Sequence, residues 1–341
     1  MSLAGHFERH LTRHWWQSQS QPTAMRLLLG PLARLYGVLA ASRRRHTVAQ
    51  RAPVPLLVVG NVVAGGAGKT PAVIALVKAF QDAGRRPGVI SRGFGRKSRA
   101  VTVVSGESSP SEVGDEPLLI HRRTGVPVCV GRARHLAALV LCTRHPEIDV
   151  LIADDGLQHH ALARDAELLV FDQRGIGNGQ LLPAGPLREP MPTALGPRMR
   201  VLYTGGWPST TLPGALATRQ IAAAWPLDAW RAGDISQAQP LAALRGRRLL
   251  AAAGLAAPEK FFAMLEDVGL LIRRLPLPDH YDFATLPWRT DTPEVVVTEK
   301  DAVKINPELL GTTRLWVLPL DLRLPDSLVA ELLTLLKRRP S

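Results

Sequence analysis

The segment Val59-Gly60-Asn61-Val62-Val63-Ala64-Gly65-Gly66-Ala67-Gly68-Lys69-Thr70 follows a short apolar run, Leu56–Val59, and leads into Thr70–Asp82, whose pattern suits a helix. Four consecutive apolar residues of this kind suit a strand buried on both faces of a parallel sheet. Between strand and helix, glycines let backbone N–H groups turn inward, and the helix N-terminus adds a positive field, so the turn can cradle a phosphate. Lys69 can then reach the β- and γ-phosphates, and the Thr70 hydroxyl can ligate Mg²⁺. The match to G-x-x-x-x-G-K-[ST] is imperfect, because Val63 stands where the first glycine belongs and Gly65 and Gly66 lie inside the loop. Nucleotide contacts are expected along Val62, Val63, Ala64, Gly65, Gly66, Ala67, Gly68, Lys69 and Thr70.

Working outward, strands are predicted at Val89–Ile90, Val101–Val104, Val128–Val130, Val150–Ala153 and Leu168–Phe171, with helices at Leu118–Thr124 and Arg132–Arg144. This alternation predicts an α/β fold of the P-loop NTPase type, with a doubly wound sheet over residues 52–204. The run Val150-Leu151-Ile152-Ala153 ends in Asp154-Asp155. An acid at the end of a neighbouring strand holds Mg²⁺ in P-loop enzymes; an Asp before Gly156 also suits a simple turn. Thr70, Asp154, Asp155 and Glu116 are the candidate Mg²⁺ ligands.

Residues 205–246 show little period and are expected to connect the core to a second, smaller α/β domain at 247–341. That domain has strand signals at Leu249–Ala253, Leu270–Arg273, Val295–Thr298 and Leu315–Leu318, and helix signals at Pro258–Val268, Lys300–Ile305 and Asp326–Lys337.

The net charge of +13 is uneven: residues 1–51 hold eight arginines against one acid, Glu8, and so carry +7 of it. Such a segment seeks an anionic partner, either nucleic acid or a membrane surface. Within Met25–Ala41, Leu28, Leu32, Leu35 and Leu39 share one helical face, while Gly30-Pro31 predicts a kink or two short helices. Trp15 and Trp16 upstream and Arg43–Arg45 downstream suit an amphipathic helix lying in a membrane interface; ordinary core packing with a solvated basic end fits equally well. No run of about 18–20 apolar residues is present to span a bilayer. Met1–Trp16 lacks the apolar stretch of a signal peptide, and Cys129 and Cys142 lack metal-ligand spacing, so a cytoplasmic protein with reduced thiols is expected.

Nucleotide chemistry leaves an ATPase switch, a GTPase and a kinase. Thr298-Glu299-Lys300-Asp301 has lysine directly before aspartate, the wrong spacing for a guanine-reading motif. A nucleotide-switched ATPase binding DNA through its arginines, or a membrane-bound ATPase scaffold, would account for the charge, but not for the acids and histidines elsewhere.

The loop Gly60–Pro71 resembles that of the tetraacyldisaccharide 4′-kinase family, in which the first Walker glycine is also displaced. Similar to that family, too, are Ser91-Arg92-Gly93-Phe94-Gly95, Val113-Gly114-Asp115-Glu116-Pro117, Asp154-Asp155-Gly156-Leu157-Gln158-His159, Gly177-Asn178-Gly179 with Leu182–Glu189, Leu277-Pro278-Asp279-His280 and Thr298–Lys304. The resemblance implies transfer of the ATP γ-phosphate to the 4′-hydroxyl of an acylated glucosamine disaccharide 1-phosphate, giving lipid IVA. It also implies a peripheral protein on the cytoplasmic face of the bacterial inner membrane, with no nucleic acid and no obligate protein partner.

A sugar hydroxyl is a poor nucleophile and benefits from a positioned base. The resemblance suggests Asp115 for that role, although Asp115 ahead of Pro117 also makes a good helix start. His280 could hydrogen-bond the Asp115 carboxylate or receive its proton. Together with Lys69 these are the catalytic candidates, and the resemblance puts Gln158 and His159 near the nucleotide. Adjacent loop histidines seldom share one ion, so His159-His160 is not read as a zinc site. Arg92, Arg188 and Glu189 are expected on the phosphate or sugar side, where arginine forks suit phosphate. Ala67 and Phe94 depart from the family pattern, so no side-chain contact at residue 67 and no hydroxyl role at residue 94 carries over.

Overall fold

A computed structural model of the chain describes residues 14–16, 24–66, 68–221 and 223–337. Ala67, one of the expected nucleotide contacts, lies outside the described residues, as does most of the basic stretch before Ala24. The chain forms two compact units. The first comprises residues 1–91, 133–218 and 324–341, and the second residues 92–132 and 219–323. This differs from the division at 52–204 and 247–341. The chain leaves the first unit after Ser91, returns at Ala133, and gives the first unit its last helix, Asp326–Leu335.

In the first unit the strands run parallel in the order Pro87–Ser91, Val150–Asp154, Leu56–Gly60, Ala166–Phe171, Met199–Tyr203 and Ala215–Leu216. Leu56–Gly60 is buried along its whole length, as its uninterrupted apolar pattern requires. Its register sets Val59 beside Asp154. The helix Lys69–Asp82 covers the sheet with Ala72, Val73, Ile74, Leu76, Val77 and Phe80. The glycine loop and the Asp-Asp turn thus leave the carboxyl ends of adjacent parallel strands, where open α/β sheets bind ligands.

Ala24–His46 is a single helix of 23 residues with Pro31 inside it, where two short helices were one expectation. It packs on the first unit through Ala33, Tyr36 and Gly37: Ala33 is buried, Tyr36 Oη donates to the Arg188 carbonyl at 2.8 Å, and a Cβ on Gly37 would meet Leu181. The leucine face points elsewhere, with Leu28 73%, Leu32 53%, Leu35 56% and Leu39 61% exposed. Core packing of that face is therefore excluded. Trp15 and Trp16 are half-buried in protein contacts: Trp15 Nε1 donates to the Pro183 carbonyl at 2.9 Å, and the Arg174 guanidinium stacks on Trp16 at 4.3 Å. No described helix is long and apolar enough to cross a membrane.

In the second unit a six-stranded sheet runs Gln239–Pro240, Ala223–Pro226, Arg314–Leu318, Glu294–Thr298, Arg248–Ala253 and Leu271–Pro276. Ala223–Pro226 is antiparallel to both its neighbours and the remaining pairs are parallel. Two of these strands and the helix Leu227–Ala232 fall inside 205–246, expected from sequence to be connecting chain. Strands of two to four residues are too short to show alternation, and they form because partners distant in sequence pair with them. Trp225 lies opposite Val317, and Trp230 Nε1 donates to Glu299 at 2.8 Å. The helix signal at Lys300–Ile305 resolves into one turn, Glu299–Ala302, started by Thr298, whose hydroxyl accepts from the Asp301 N–H.

Candidate active site

The glycine loop explains its own irregularity. Val63 is buried and bridges to Leu187, the Ala64 N–H donates to Pro186 O at 2.7 Å, and the Val62 carbonyl accepts from the Arg188 N–H at 2.7 Å. Val62, Val63 and Ala64 are thus tied to the 186–188 segment, and the position where the consensus has glycine carries a packed side chain. The left-handed backbone falls later, at Gly65 (φ 94°) and Gly68 (φ 82°). A Cβ on Gly65 or Gly66 would meet nothing within 4 Å, so this part of the loop faces open space. Gly68 precedes the helix that Lys69 and Thr70 open. Inward-turned backbone, a helix N-terminus and a lysine together suit a phosphate.

Around Lys69 the first unit gathers a polar network. Lys69 Nζ donates to Asn61 Oδ1 at 3.2 Å and lies 3.3 Å from Asp155 Oδ1. Arg188 Nη1 contacts both Asp155 oxygens, at 3.1 and 3.2 Å, and Gln158 Oε1 at 3.3 Å. Gln158 Nε2 donates in turn to Glu189 Oε1 at 2.8 Å and to the Asn61 carbonyl at 3.0 Å. Burial opposes ionisation of Asp155, but Lys69 and Arg188 outweigh it and hold the carboxyl below its usual range. Asp155 takes a positive φ of 46°, a strained backbone of the kind that collects at functional sites. Arg188 and Glu189, expected on the phosphate or sugar side, stand in the network around Lys69 and Asp155.

For Mg²⁺, the Thr70 hydroxyl at the helix start and the buried Asp154 carboxylate at the end of the strand next to Leu56–Gly60 have the right oxygen chemistry. Asp155 is engaged by two cations instead. His159 is pushed down to about 4 by burial and by Arg134 and Arg164, so it is neutral near pH 7 and offers no charge to a phosphate.

The second unit brings together residues from three distant motifs. Gly93 and Gly114 let their turns touch: a Cβ on Gly93 would lie 2.7 Å from Val113 O, and one on Gly114 3.0 Å from Phe94 O. Asp115 opens the helix Asp115–Thr124 and is buried; its Oδ2 accepts from His280 Nδ1 at 3.1 Å. Burial disfavours its charge, yet the His280 hydrogen bond with Lys300 and Lys304 holds its carboxyl below the usual range. Asp115 is the first residue of its helix but not the cap, which is Gly114 with no side chain capping the helix, and its carboxylate faces His280 instead. His280 has a positive φ of 57°, and its ring stands 5.4 Å from that of Phe94. Its imidazole is raised above the usual histidine value by the Asp115 hydrogen bond, against burial and Lys300. Glu116, expected as a metal ligand, lies 3.5 Å from Lys300 Nζ. Arg92 is exposed in the turn after Ser91.

Sequence reading did not single out Asn61, Arg174, Asp279 or Lys300. Asn61 and Lys300 sit inside stretches already quoted, but nothing in spacing shows which way a side chain points. Arg174 is held by Asp172 and donates to the Gly66 carbonyl, so it fastens the glycine loop from outside any motif.

Comparison with known proteins shows the family of the chain. Residues 25–337 match the family model described as tetraacyldisaccharide-1-P 4′-kinase. Similar curated proteins, each named tetraacyldisaccharide 4′-kinase, include one from Leptothrix cholodnii, 49% identical and covering 93% of this chain and 94% of that protein. Another, from Dechloromonas aromatica, is 45% identical and covers 97% and 98%. Among solved structures, LpxK from Aquifex aeolicus in complex with ATP superposes with a TM-score of 0.74 at 27% identity, covering 91% of this chain and 99% of that one. With its fold and nearly its whole length matched, the chain belongs to the tetraacyldisaccharide-1-P 4′-kinase family.

Proposed function

We propose that this chain transfers the γ-phosphate of ATP to the 4′-hydroxyl of a tetraacyldisaccharide 1-phosphate, forming lipid IVA in lipid A biosynthesis. The observation that carries the acceptor half is the hydrogen bond between Asp115 and His280, 165 residues apart in sequence. A buried carboxylate kept ionised and oriented by a histidine is what a sugar hydroxyl needs as it attacks phosphorus. Asp115 takes the hydroxyl proton, and His280 holds the carboxylate in place.

The donor half belongs to the first unit. The Gly65–Gly68 backbone and Lys69 bind the phosphates, and Lys69 offsets charge gathering on the transferred group. Arg188 holds Asp155 against Lys69 and so sets the ammonium's position before nucleotide binds. Mg²⁺, held by Thr70 and Asp154, would neutralise the β- and γ-phosphate oxygens. Gln158 and Glu189 brace Asn61 and Arg188, and the exposed Arg92 is left for the substrate's own phosphate.

The lipid acceptor keeps its acyl chains in a bilayer, so the enzyme must work at a surface. The exposed leucine face of Ala24–His46, with Arg43–Arg45 at its end, suits the anionic cytoplasmic face of the inner membrane as a peripheral attachment. No nucleic acid and no obligate protein partner is needed for this chemistry, and the family match favours the kinase over a DNA-binding ATPase switch. The deciding experiment is γ-phosphate transfer to the acylated disaccharide 1-phosphate in detergent. Labelled lipid product is expected; ATP hydrolysis with no lipid product would refute the assignment.

A further inference from the structure

Lys300 lies in the second unit on the one-turn helix Glu299–Ala302, and its ammonium is inserted among groups no motif assigns to it. Its Nζ is 3.2 Å from His280 Nε2, 3.5 Å from Glu116 Oε1 and 3.6 Å from Asp279 Oδ1. The turn that carries it is anchored from behind. Glu299 is buried and accepts from Arg123 and from Trp230 Nε1, and Asp301 is buried and accepts from the Gly254 N–H at 3.1 Å and from Lys304 at 3.3 Å. With residues on both sides fixed in this way, the backbone that carries Lys300 is held in place.

An ammonium has three donors and no acceptor. A charged Lys300 hydrogen-bonded to His280 Nε2 therefore requires a lone pair on Nε2, so the neutral ring must carry its proton on Nδ1. Nδ1 is the nitrogen that faces Asp115 Oδ2. Burial works against the charge on Lys300, but Glu116, Asp279, Asp115 and Asp301 outweigh it and hold the lysine above its usual value. It thus stays charged through the range in which His280 titrates.

We infer that Lys300 is a positioning residue for the acceptor base: by donating to His280 Nε2 it fixes the imidazole with its proton on Nδ1, aimed at Asp115. This rests on the Asp115 role proposed above and settles how the pair divides its work. With Nδ1 already protonated and Nε2 already occupied by a donor, His280 has no free site for the hydroxyl proton. The proton goes to the Asp115 carboxylate, while His280 orients and stabilises it. Protonating His280 at Nε2 would set two donors face to face and break the Lys300 contact. Of the charged groups in this cluster, Asp115, Lys300 and Asp279 act on the ring itself, Glu116 acts on Lys300, and Lys304 acts on Asp115.

The test uses the full chain labelled with ¹⁵N-histidine, with His280→Gln identifying the ring among the ten histidines. Above the imidazole's pKa, wild-type His280 is expected to show a protonated Nδ1 and an unprotonated Nε2. Lys300→Met is expected to lose that preference. In the transfer assay it should lower kcat about 10–100-fold, a part of the ~10²–10⁴ that a positioned base contributes, with the KM for ATP little changed. Its acid limb should move to higher pH, because removing a nearby positive charge raises both carboxyl and imidazole pKa values; Lys300→Arg, which keeps charge and donor, should restore much of the rate. An Nε2–H tautomer in wild type, or Lys300→Met with the tautomer and acid limb unmoved, would overturn the inference. Full activity of Asp115→Asn would instead sink the base assignment, and the tautomer in wild type, read without turnover, would still decide the role of Lys300.

Discussion

Lys69 Nζ stands 3.3 Å from Asp155 Oδ1, and Arg188 holds the same carboxylate from its other side. The ammonium is thus held by a carboxylate, and in the proposed function binding a nucleotide would trade that carboxylate partner for phosphate oxygens. Lys69→Ala is expected to lower kcat about 10²–10³-fold, the usual effect of removing one preorganised donor from developing charge. Steady-state transfer kinetics checks this. Turnover within a few-fold of wild type would remove Lys69 from the reaction.

The Asp115–His280 bond makes a signed prediction for stability. His280 is raised in the folded chain, so its contribution is complete below the unfolded imidazole value of about 6.5 and is lost as pH rises through the folded value. Asp115 is lowered, so its contribution is present above its unfolded value of about 3.9 and is lost as pH falls through the folded one. The Tm of wild type should exceed that of His280→Gln by most between those limits, and the gap should narrow on either side. Calorimetry from acid to mildly alkaline pH measures it; a gap independent of pH would mean the two groups are not coupled.

The exposed leucines of Ala24–His46 predict a surface phenotype separate from catalysis. Burying one leucine side chain is worth about 1.5–3 kcal/mol. Replacing both Leu32 and Leu35 with Asn should therefore reduce flotation with anionic liposomes by at least about tenfold, while γ-phosphate transfer in detergent stays near wild type. Unchanged flotation would show that this face does not meet lipid. Stronger binding to duplex DNA than to liposomes, falling steeply with salt, would revive the nucleic-acid alternative.

Glu299 accepts from both Arg123 and Trp230 in the interior of the second unit. Arg123 keeps Asp321 as a partner when Glu299 is removed, but the buried Trp230 N–H loses its acceptor, so Glu299→Ala should cost about 1–3 kcal/mol in denaturant unfolding. Because Lys300 follows directly in the chain, activity should fall with it. A loss below about 1 kcal/mol would mean that water replaces the carboxylate without penalty.

The parts of the site that depend on neighbours in sequence were legible beforehand. Gly65, Gly68, Lys69 and Thr70 must be contiguous to make a turn into a helix, and Asp154 must end an apolar strand to sit beside them. The asymmetry at Val63 was visible but its cause was not, since the Leu187 bridge that makes the side chain useful is 124 positions away in the numbering. Trp15 and Trp16 looked like interfacial anchors, and they pack on Pro183 and Arg174 because indoles bury well wherever a carbonyl or a guanidinium is offered.

Local pattern alone determined the α/β class, the strand–glycine loop–helix unit and the amphipathic character of Ala24–His46, because strand period, glycine conformation and helical spacing are short-range properties. Motif resemblance added the family and, with it, Asp115 and His280. Tertiary structure alone decided that residues 92–132 join 219–323 in one unit, that the leucine face is left uncovered, and that Lys300 closes on His280 Nε2. Those are matters of which distant side chains share a few ångströms, and charge and hydrogen-bond direction act over that distance whatever the separation along the chain.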